Sequence, residues 1–332
     1  MAIGSGLGSS FGFSAESTYG TYVAPTKFIR HKSASVQKTA TRPQGEGIQA
    51  GGYGMFLPHF VEAVTGGTGT VAFDVVNKNM GLFMQALMGT TVTPVQQGTS
   101  TAYLQTHTLG DPFGKALSVQ VGMPQRGGTV TPATLKGTKV SKLDLSCSVD
   151  SVLSATATLD AQAYDNSTSL ASVSYATTTN VFHGGQLSVK IGTFGSESAI
   201  SGVKSVTCSI ERGMDTAAYY AGATVAGTKS EPVLNAATAI TAGLTVDFID
   251  TTLHAIARDA TNTSLVLEWV GPTIASTYKE TFRVTVPGVV IEAPESFGVD
   301  GRNVLGHTFN FVWKYDGTNS PKIEVISAES AL

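Results

Sequence analysis

Few residues of this 332-residue chain are spaced for chemistry. The stretch "GSSFG" (Gly8 to Gly12) matches G-x-S-x-G, which presents a serine nucleophile when it sits on a strand-to-helix turn. Here it falls in a glycine-rich N-terminal arm with neither element beside it, so it reads as a loop. "GATVAGTKS" (Gly222 to Ser230) approaches a phosphate-binding loop, but Thr228 intervenes between Gly227 and Lys229. Glu231 and Pro232 then stand where a helix N-terminus should meet the phosphate. The histidines His31, His59, His107, His183, His254 and His307 show none of the short spacings that hold a metal ion. Asp74 and Asp247 hold near-equivalent places and read as local hydrogen-bonding groups beside helix starts rather than as an acid–base pair. His254 reads as a surface or boundary residue. Cys147 and Cys208 occupy apolar-face positions and read as buried free thiols. The expectation is no catalytic constellation, no metal and no cofactor.

The elements that would position any site show a repeat. In "GTVAFDVVNKNMGLFMQALMG" (Gly69 to Gly89), Val71, Phe73 and Val75 alternate as in a strand. Asn77 is the candidate N-cap, and Met80, Phe83, Met84 and Leu87 follow at helical spacing. In "GLTVDFIDTTLHAIARDA" (Gly243 to Ala260), Leu244, Val246 and Phe248 alternate, Asp250 is the candidate cap, and Leu253 and Ile256 hold the helical stripe. Phe73 and Val246, Asn77 and Asp250, and Phe83 and Ile256 are each 173 positions apart. "ALSVQVGMP" likewise parallels "SLVLEWVGP", and "VLSATATLDAQAYD" parallels "VLGHTFNFVWKYD". Four matches in one order point to duplication. The division follows: an arm over 1–24, a first half over 25–165, a polar Ser/Thr-rich linker over 166–181 and a second half over 182–332. Each half is expected to be mainly β, with one flanking α-helix.

Composition narrows the function. Charged residues make up 14% of the chain and the formal net charge is −3, with no basic run to grip a phosphate backbone. So weakly charged a surface gives little protection against association, which suits a protein that assembles. The N-terminus has neither the basic start nor the apolar run of a signal peptide, and no segment is long enough to span a membrane as a helix. A soluble protein without a membrane partner is expected. "TRPQGEGIQAGGYG" (Thr41 to Gly54) holds five glycines and a proline and reads as an exposed contact arm, with Pro43, Gly45, Gly47, Gly51, Gly52 and Tyr53 as its candidate contact residues. "MDTAAYYAGATVAGTKSEPV" (Met214 to Val233) holds the same place in the second half.

The stretch "SAESTYGTYVAPTKFIRHKSASVQ" (Ser14 to Gln37), with Glu16, Tyr19, Gly20, Thr21, Pro25, Thr26 and Phe28, resembles the opening of the major tail tube proteins of long-tailed bacteriophages (siphoviruses). "NKNMGLFMQALMG", "GKALSVQVGMP" and "GTKVSKLDLSCSVDSVLSATATLDAQ" are also similar to that family. The resemblance implies a β-sandwich or barrel-like tail tube fold in a structural virion protein. Its subunits form rings that stack into a hollow tube around a tape measure protein, meeting tail terminator and distal tail proteins at the ends. Double-stranded DNA passes through without specific binding, and the arm would order between stacked rings. Synthesis in the host bacterial cytoplasm and residence in the virion tail tube are implied too. With two tube domains per chain, a trimeric ring with pseudo-six-fold symmetry is expected ahead of a hexamer. The competing class is a β-rich capsid-decorating or adhesion module. A hydrolase would need an acid cluster or triad, which the sequence does not supply.

Overall fold

The computed structural model describes residues 4–221, 227–292 and 305–332. Strands hold 51% of the residues and helices 8%, so the protein is mainly β. The first half contains β1 (Ser10–Ala15), β2 (Lys27–Ile29), β3 (His31–Thr41), β4 (Val64–Asp74), α1 (Gly81–Met88), β5 (Val95–Gln96), β6 (Tyr103–Thr108), β7 (Leu117–Pro124), β8 (Val130–Ser148) and β9 (Ser154–Asp165). The second contains β10 (Leu187–Gly192), β11 (Ser198–Ala199), β12 (Val203–Glu211), β13 (Ala239–Asp247), α2 (Thr252–Asp259), β14 (Thr263–Ala275), β15 (Tyr278–Ile291), β16 (Gly306–Trp313) and β17 (Lys322–Ser327). Antiparallel pairing joins all of them into one open sheet.

The pairing order repeats. β3, β4, β9 and β8 lie side by side, and β12, β13, β16 and β15 lie side by side in the same sequence. The registers agree too: Phe73 faces Ala155, and its counterpart Val246 faces His307. Lys32 pairs with Asp74 at 2.5 Å across β3 and β4, and Lys204 with Asp247 at 2.6 Å across β12 and β13. The two aspartates therefore neutralise a lysine on the neighbouring strand rather than serve a helix start. β12 also pairs with the C-terminal part of β8, Ser205 facing Ser148 and Glu211 facing Lys142. This makes a row of eight strands, β3-β4-β9-β8-β12-β13-β16-β15.

Several expectations change. The N-terminal arm contains a central strand: β1 is buried between β2 and β7, because Phe11 and Phe13 supply two of the largest core side chains. Asn77 does not cap α1. It is buried, donating to Glu280 Oε1 at 2.6 Å and accepting the Asn180 N–H at 2.9 Å. The chain then turns through Asn79 at φ 61° before Met80 takes the cap position. Asp250 accepts the Thr252 N–H at 2.8 Å, but Thr251 is the N-cap of α2. His254 is buried rather than superficial, its ring 4.6 Å from that of His307 and 5.1 Å from that of Phe309. Cys147 and Cys208 are buried and free. Of the stretches matched above, Val304 and Gly222 to Ala226 lie outside the described residues.

Met80, Phe83, Met84 and Leu87 are buried, Leu253 is buried, and Ile256 is half-buried at the edge of the core. Phe83 meets Phe13 and Phe73 edge-on, at ring separations of 5.5 and 5.6 Å. Phe83→Ala removes the centre of that aromatic cluster and leaves a cavity, which should cost about 3–5 kcal/mol in chemical denaturation.

Charge is organised across the strands of the second half. Glu268, Arg283 and Glu324 face one another in register on β14, β15 and β17. Arg283 reaches Glu268 at 2.5 Å and Glu324 at 3.1 Å, and Lys190 on β10 reaches Glu268 at 2.6 Å. Burial pushes the Glu268 carboxyl up, but hydrogen bonds from Lys190 and Arg283 outweigh it and hold the group below its ordinary value. A carboxylate depressed on folding stabilises the fold above its unfolded value and loses that contribution as pH falls through the folded one. Unfolding free energy should therefore decline below roughly pH 4, and Glu268→Gln should flatten that decline in denaturation titrations.

Candidate assembly surface

The row of eight strands has two faces. One carries the core residues Val71, Phe73, Leu145, Cys208 and Leu244. Strand alternation puts hydroxyl-bearing residues on the other. Thr70 faces Thr158 across β4 and β9, and Ser35 faces Thr70 across β3 and β4. Ser146 faces Thr207 across the junction of the halves, and Ser209 faces Thr241 beyond it. Its lysines are matched by acids, Lys32 with Asp74, Lys204 with Asp247, and Lys142 with Asp144 at 3.2 Å. The surface is polar, weakly charged and free of unpaired basic clusters among these strands.

The junction between the halves depends on β8. β9 follows one edge of β8 from Thr134 to Ser146, so the other edge is shared. β7 pairs with it from Val130 to Thr138, and β12 takes over from Lys142 to Ser148. The changeover falls at the irregularity between Val140 and Lys142, where the Arg212 N–H reaches the Ser141 carbonyl at 2.8 Å. Such a bulge bends a strand, letting β8 serve two directions.

Above this junction the loop after β12 is clasped onto the first half. Arg212 donates to the carbonyls of Leu87 at 3.0 Å and Met88 at 2.9 Å, satisfying groups left open at the end of α1. Lys229 and Asp160 form a buried pair at 2.5 Å. Lys139 pairs with Glu231 and donates to the Pro112 carbonyl at 2.7 Å. Burial pushes the Lys139 ammonium down, opposed by Glu231, and pushes the Asp160 carboxyl up, opposed by Lys229. Gly227, at φ 72°, lies so close to the start of β4 that an added Cβ would sit 2.4 Å from the Ala63 carbonyl oxygen. Glu16 is buried here too, accepting from Gly20 N–H at 2.8 Å, Ser118 Oγ at 2.7 Å and Gly137 N–H at 2.9 Å. Beside it, burial and the neighbouring Asp160 raise the Tyr19 phenol. These charged residues were missed as a group in the sequence. Part of their signal was present: Asp160 is a lone charge amid the small, apolar and hydroxyl-bearing residues of β9, whereas Lys139 is one of several charges on β8.

The corresponding loop of the first half, from Arg42 to Ala63, is built differently. Its base is tied by Lys38 and Arg42 to Glu62, at 2.5 and 2.9 Å, and by the Gly45 N–H to the His59 carbonyl at 3.0 Å. Pro43, Gly45, Gly47, Gly51 and Gly52 lie along this segment, and Tyr53 at its tip is 104% exposed beside Ile48 at 101%. Met55 and Leu57 are also exposed. Among the described residues β3 pairs with β4 alone, so its outer edge is open. Ala34 and Val36 are half-buried and Lys38 is exposed along it, whereas their counterparts Val206, Cys208 and Ile210 of β12 are buried.

A cleft of about 280 Å³ beside α2 brings His254 and His307 together within an aromatic cluster. Among the described residues no group of three His, Cys, Asp or Glu could hold a metal ion, and no helix is long and apolar enough to cross a membrane.

A hydroxyl-covered face, an open edge along β3 and an exposed apolar loop are features that suit a self-associating structural subunit. Residues 6–312 match the model of the phage tail tube protein family, and the chain belongs to that family. No curated protein matches the chain. The family is structural, its members assemble into a tube, and the chain is a component of the virion tail.

The clasp has a direct test. Removing one partner of a buried ion pair strands the other, so Lys229→Met should destabilise the chain by about 3–5 kcal/mol in chemical denaturation. The double variant Lys229→Met, Asp160→Leu should recover most of that loss, since neither charge is then buried alone.

Proposed function

We propose that this chain is the repeating subunit of the tail tube and that each half, 25–165 and 182–332, is one tube domain, joined by the 166–181 linker. The observation that carries this is the row of eight strands, in which the second four repeat the pairing order of the first. A sheet edge left open invites pairing with another chain, and β3 is open while the matching β12 is covered. Laying copies end to end covers the open edge of β3 as β8 covers the matching edge of β12. Because one chain carries two domains, three chains make a ring with pseudo-six-fold symmetry, and the linker removes part of the association entropy. The hydroxyl-covered face then lines the channel. Its paired charges offer no cluster to hold phosphates, which suits double-stranded DNA sliding through without specific binding.

On this reading the rings stack around a tape measure protein, with terminator and distal tail proteins at the ends. The subunit is made in the host bacterial cytoplasm and enters the virion tail. The segment holding Pro43, Gly45, Gly47, Gly51, Gly52 and Tyr53 is a contact between subunits, because so much exposed apolar surface is unfavourable in an isolated chain. Electron microscopy of the concentrated purified protein tests the proposal. Tubes or rings averaging to three chains are expected. Six chains per ring would overturn the trimer, and a protein that stays monomeric at high concentration would overturn assembly itself.

A further inference from the structure

Each half has a cleft beside the end of the strand that leads into its helix, and the registers make the two clefts counterparts. Phe13 of β1 faces Val119 of β7, and Ile191 of β10 faces Leu265 of β14, each just past the same irregularity in the next pairing. Carried across to β2 and β11, this equates Phe28, Ile29 and Arg30 with Ala199, Ile200 and Ser201, which line the respective clefts. Val76 lines the first and its counterpart Ile249 the second. The first cleft is about 120 Å³, and Ala176, Thr179 and Val181 of the linker help to wall it. The second is about 280 Å³.

The end of the linker is held there as an added strand. The Asn77 N–H donates to the Asn180 carbonyl at 3.1 Å, the Phe182 N–H to the Val75 carbonyl at 3.2 Å and the Leu153 N–H to the Phe182 carbonyl at 2.8 Å. Val76 and Val181 lie opposite each other. The end of β13 is shaped alike, for the Phe248 N–H donates to the Leu305 carbonyl at 2.9 Å as the Val75 N–H does to that of Leu153. Burial differs sharply: Val75 and Asn77 are buried and Val76 half-buried, whereas Phe248, Ile249 and Asp250 are exposed. The linker accounts for that difference.

Order along the chain says which segment is the linker's counterpart. The linker enters β10 through a 3₁₀ turn, Gly184–Gln186, and the N-terminal segment enters β1 through another, Gly6–Gly8. Gly6 and Gly184, and likewise Phe13 and Ile191, are 178 positions apart. By the same count Asn180, Val181 and Phe182 correspond to Ala2, Ile3 and Gly4, of which Ala2 and Ile3 lie outside the described residues. We infer that the segment Ala2–Gly4 of a second copy of this chain adds itself along Phe248–Asp250, at the second-half cleft. The linker binds a first half and leads into the second half that follows. The N-terminal segment bound at a second half therefore leads into the first half that follows, which belongs to the next chain. Backbone bonds supply the attachment in such strand addition, and side chains facing the pocket supply the fit. Ile3 meets Ile249 as Val181 meets Val76, apolar on apolar. The inference rests on the tube reading and adds to it a partner segment and its receiving site.

Ile3→Cys combined with Ile249→Cys in the full chain tests this, because opposed residues on adjacent strands are within disulfide reach. Cys147 and Cys208 are buried, so they add little background. After mild oxidation of assembled protein, the expected product is a reducible species of two or three linked chains, absent from either single variant. Ile249→Asp is the companion variant. It should lower the yield of rings while leaving thermal unfolding of the unassembled chain unchanged, since that side chain is 60% exposed in the single chain. Rings that give no interchain disulfide, a disulfide closed within one chain, or full ring yield in Ile249→Asp would each overturn the inference and leave the tube reading standing. If the unsubstituted chain forms no assembled species at any concentration, both fall together.

Discussion

The sharing of one edge of β8 is the constraint on which the rest depends. A strand edge in a folded protein must have its N–H and C=O groups paired or wetted, and β8 is long enough to need two partners in succession. β7 satisfies its first part and β12 its second, with the irregularity at Ser141 marking the exchange. This one arrangement joins the halves into a continuous row. It buries Cys208 and Ile210 where their counterparts Val36 and Lys38 stay partly in water, and it seats the Arg212 guanidinium on the end of α1. Small side chains suit the seam: Cys147 and Cys208 pack where strands from both halves converge, and burial pushes the Cys208 thiol up to about 12, leaving it a neutral apolar filler.

The two loops illustrate a difference between permanent and reversible contacts. Burying an ion pair removes two charges from water, and mutual attraction repays that cost only with fixed geometry. A partner on the same chain is always present, so Lys229 and Asp160 need never separate in the folded state. A contact made and broken between chains does better with apolar surface, whose burial is favourable and tolerant of small misalignment. Charge inside the chain and apolar groups at the loop facing outward therefore fit the proposed assembly, in which one junction is covalent and the next is not.

Much of this architecture was legible in the sequence because duplication writes the same pattern twice. Val71 and Phe73, Leu244 and Val246 alternate cleanly, and a shared spacing of 173 links them. Capping was less legible: Asn77 has the right residue type at the right distance, but its amide is taken by Glu280, more than two hundred positions away, and no local pattern encodes that. The β1 strand was hidden for a related reason. Its glycine- and serine-rich composition reads as a loop, yet Phe11 and Phe13 alternate and are claimed by the core once β7 lies beside them. His254 was misplaced because helical periodicity says which face is apolar, not that His307 and Phe309 approach from another strand to cover it. The assembly surface itself was visible only as a composition, few charges and many hydroxyls; strand register turned that composition into a face.

That face explains why a structural protein of this kind can be poor in recognisable motifs. Ser and Thr on the outward positions of strands satisfy two demands together. Threonine is β-branched and favours extended backbone, and a hydroxyl holds water without a net charge. Lysines alone at these positions would trade counterions with a nucleic acid and retain it, in a salt-dependent way. Aspartates alone would repel both the nucleic acid and one another across adjacent strands. The chain instead sets Lys32 against Asp74 and Lys204 against Asp247, the same neutral pair at the same place in each half. Selection on such a surface acts on the average over many strands rather than on any single residue. The pattern it leaves is a repeated neutrality rather than a signature, and on the proposed reading the channel-lining surface is therefore found by register and not by motif.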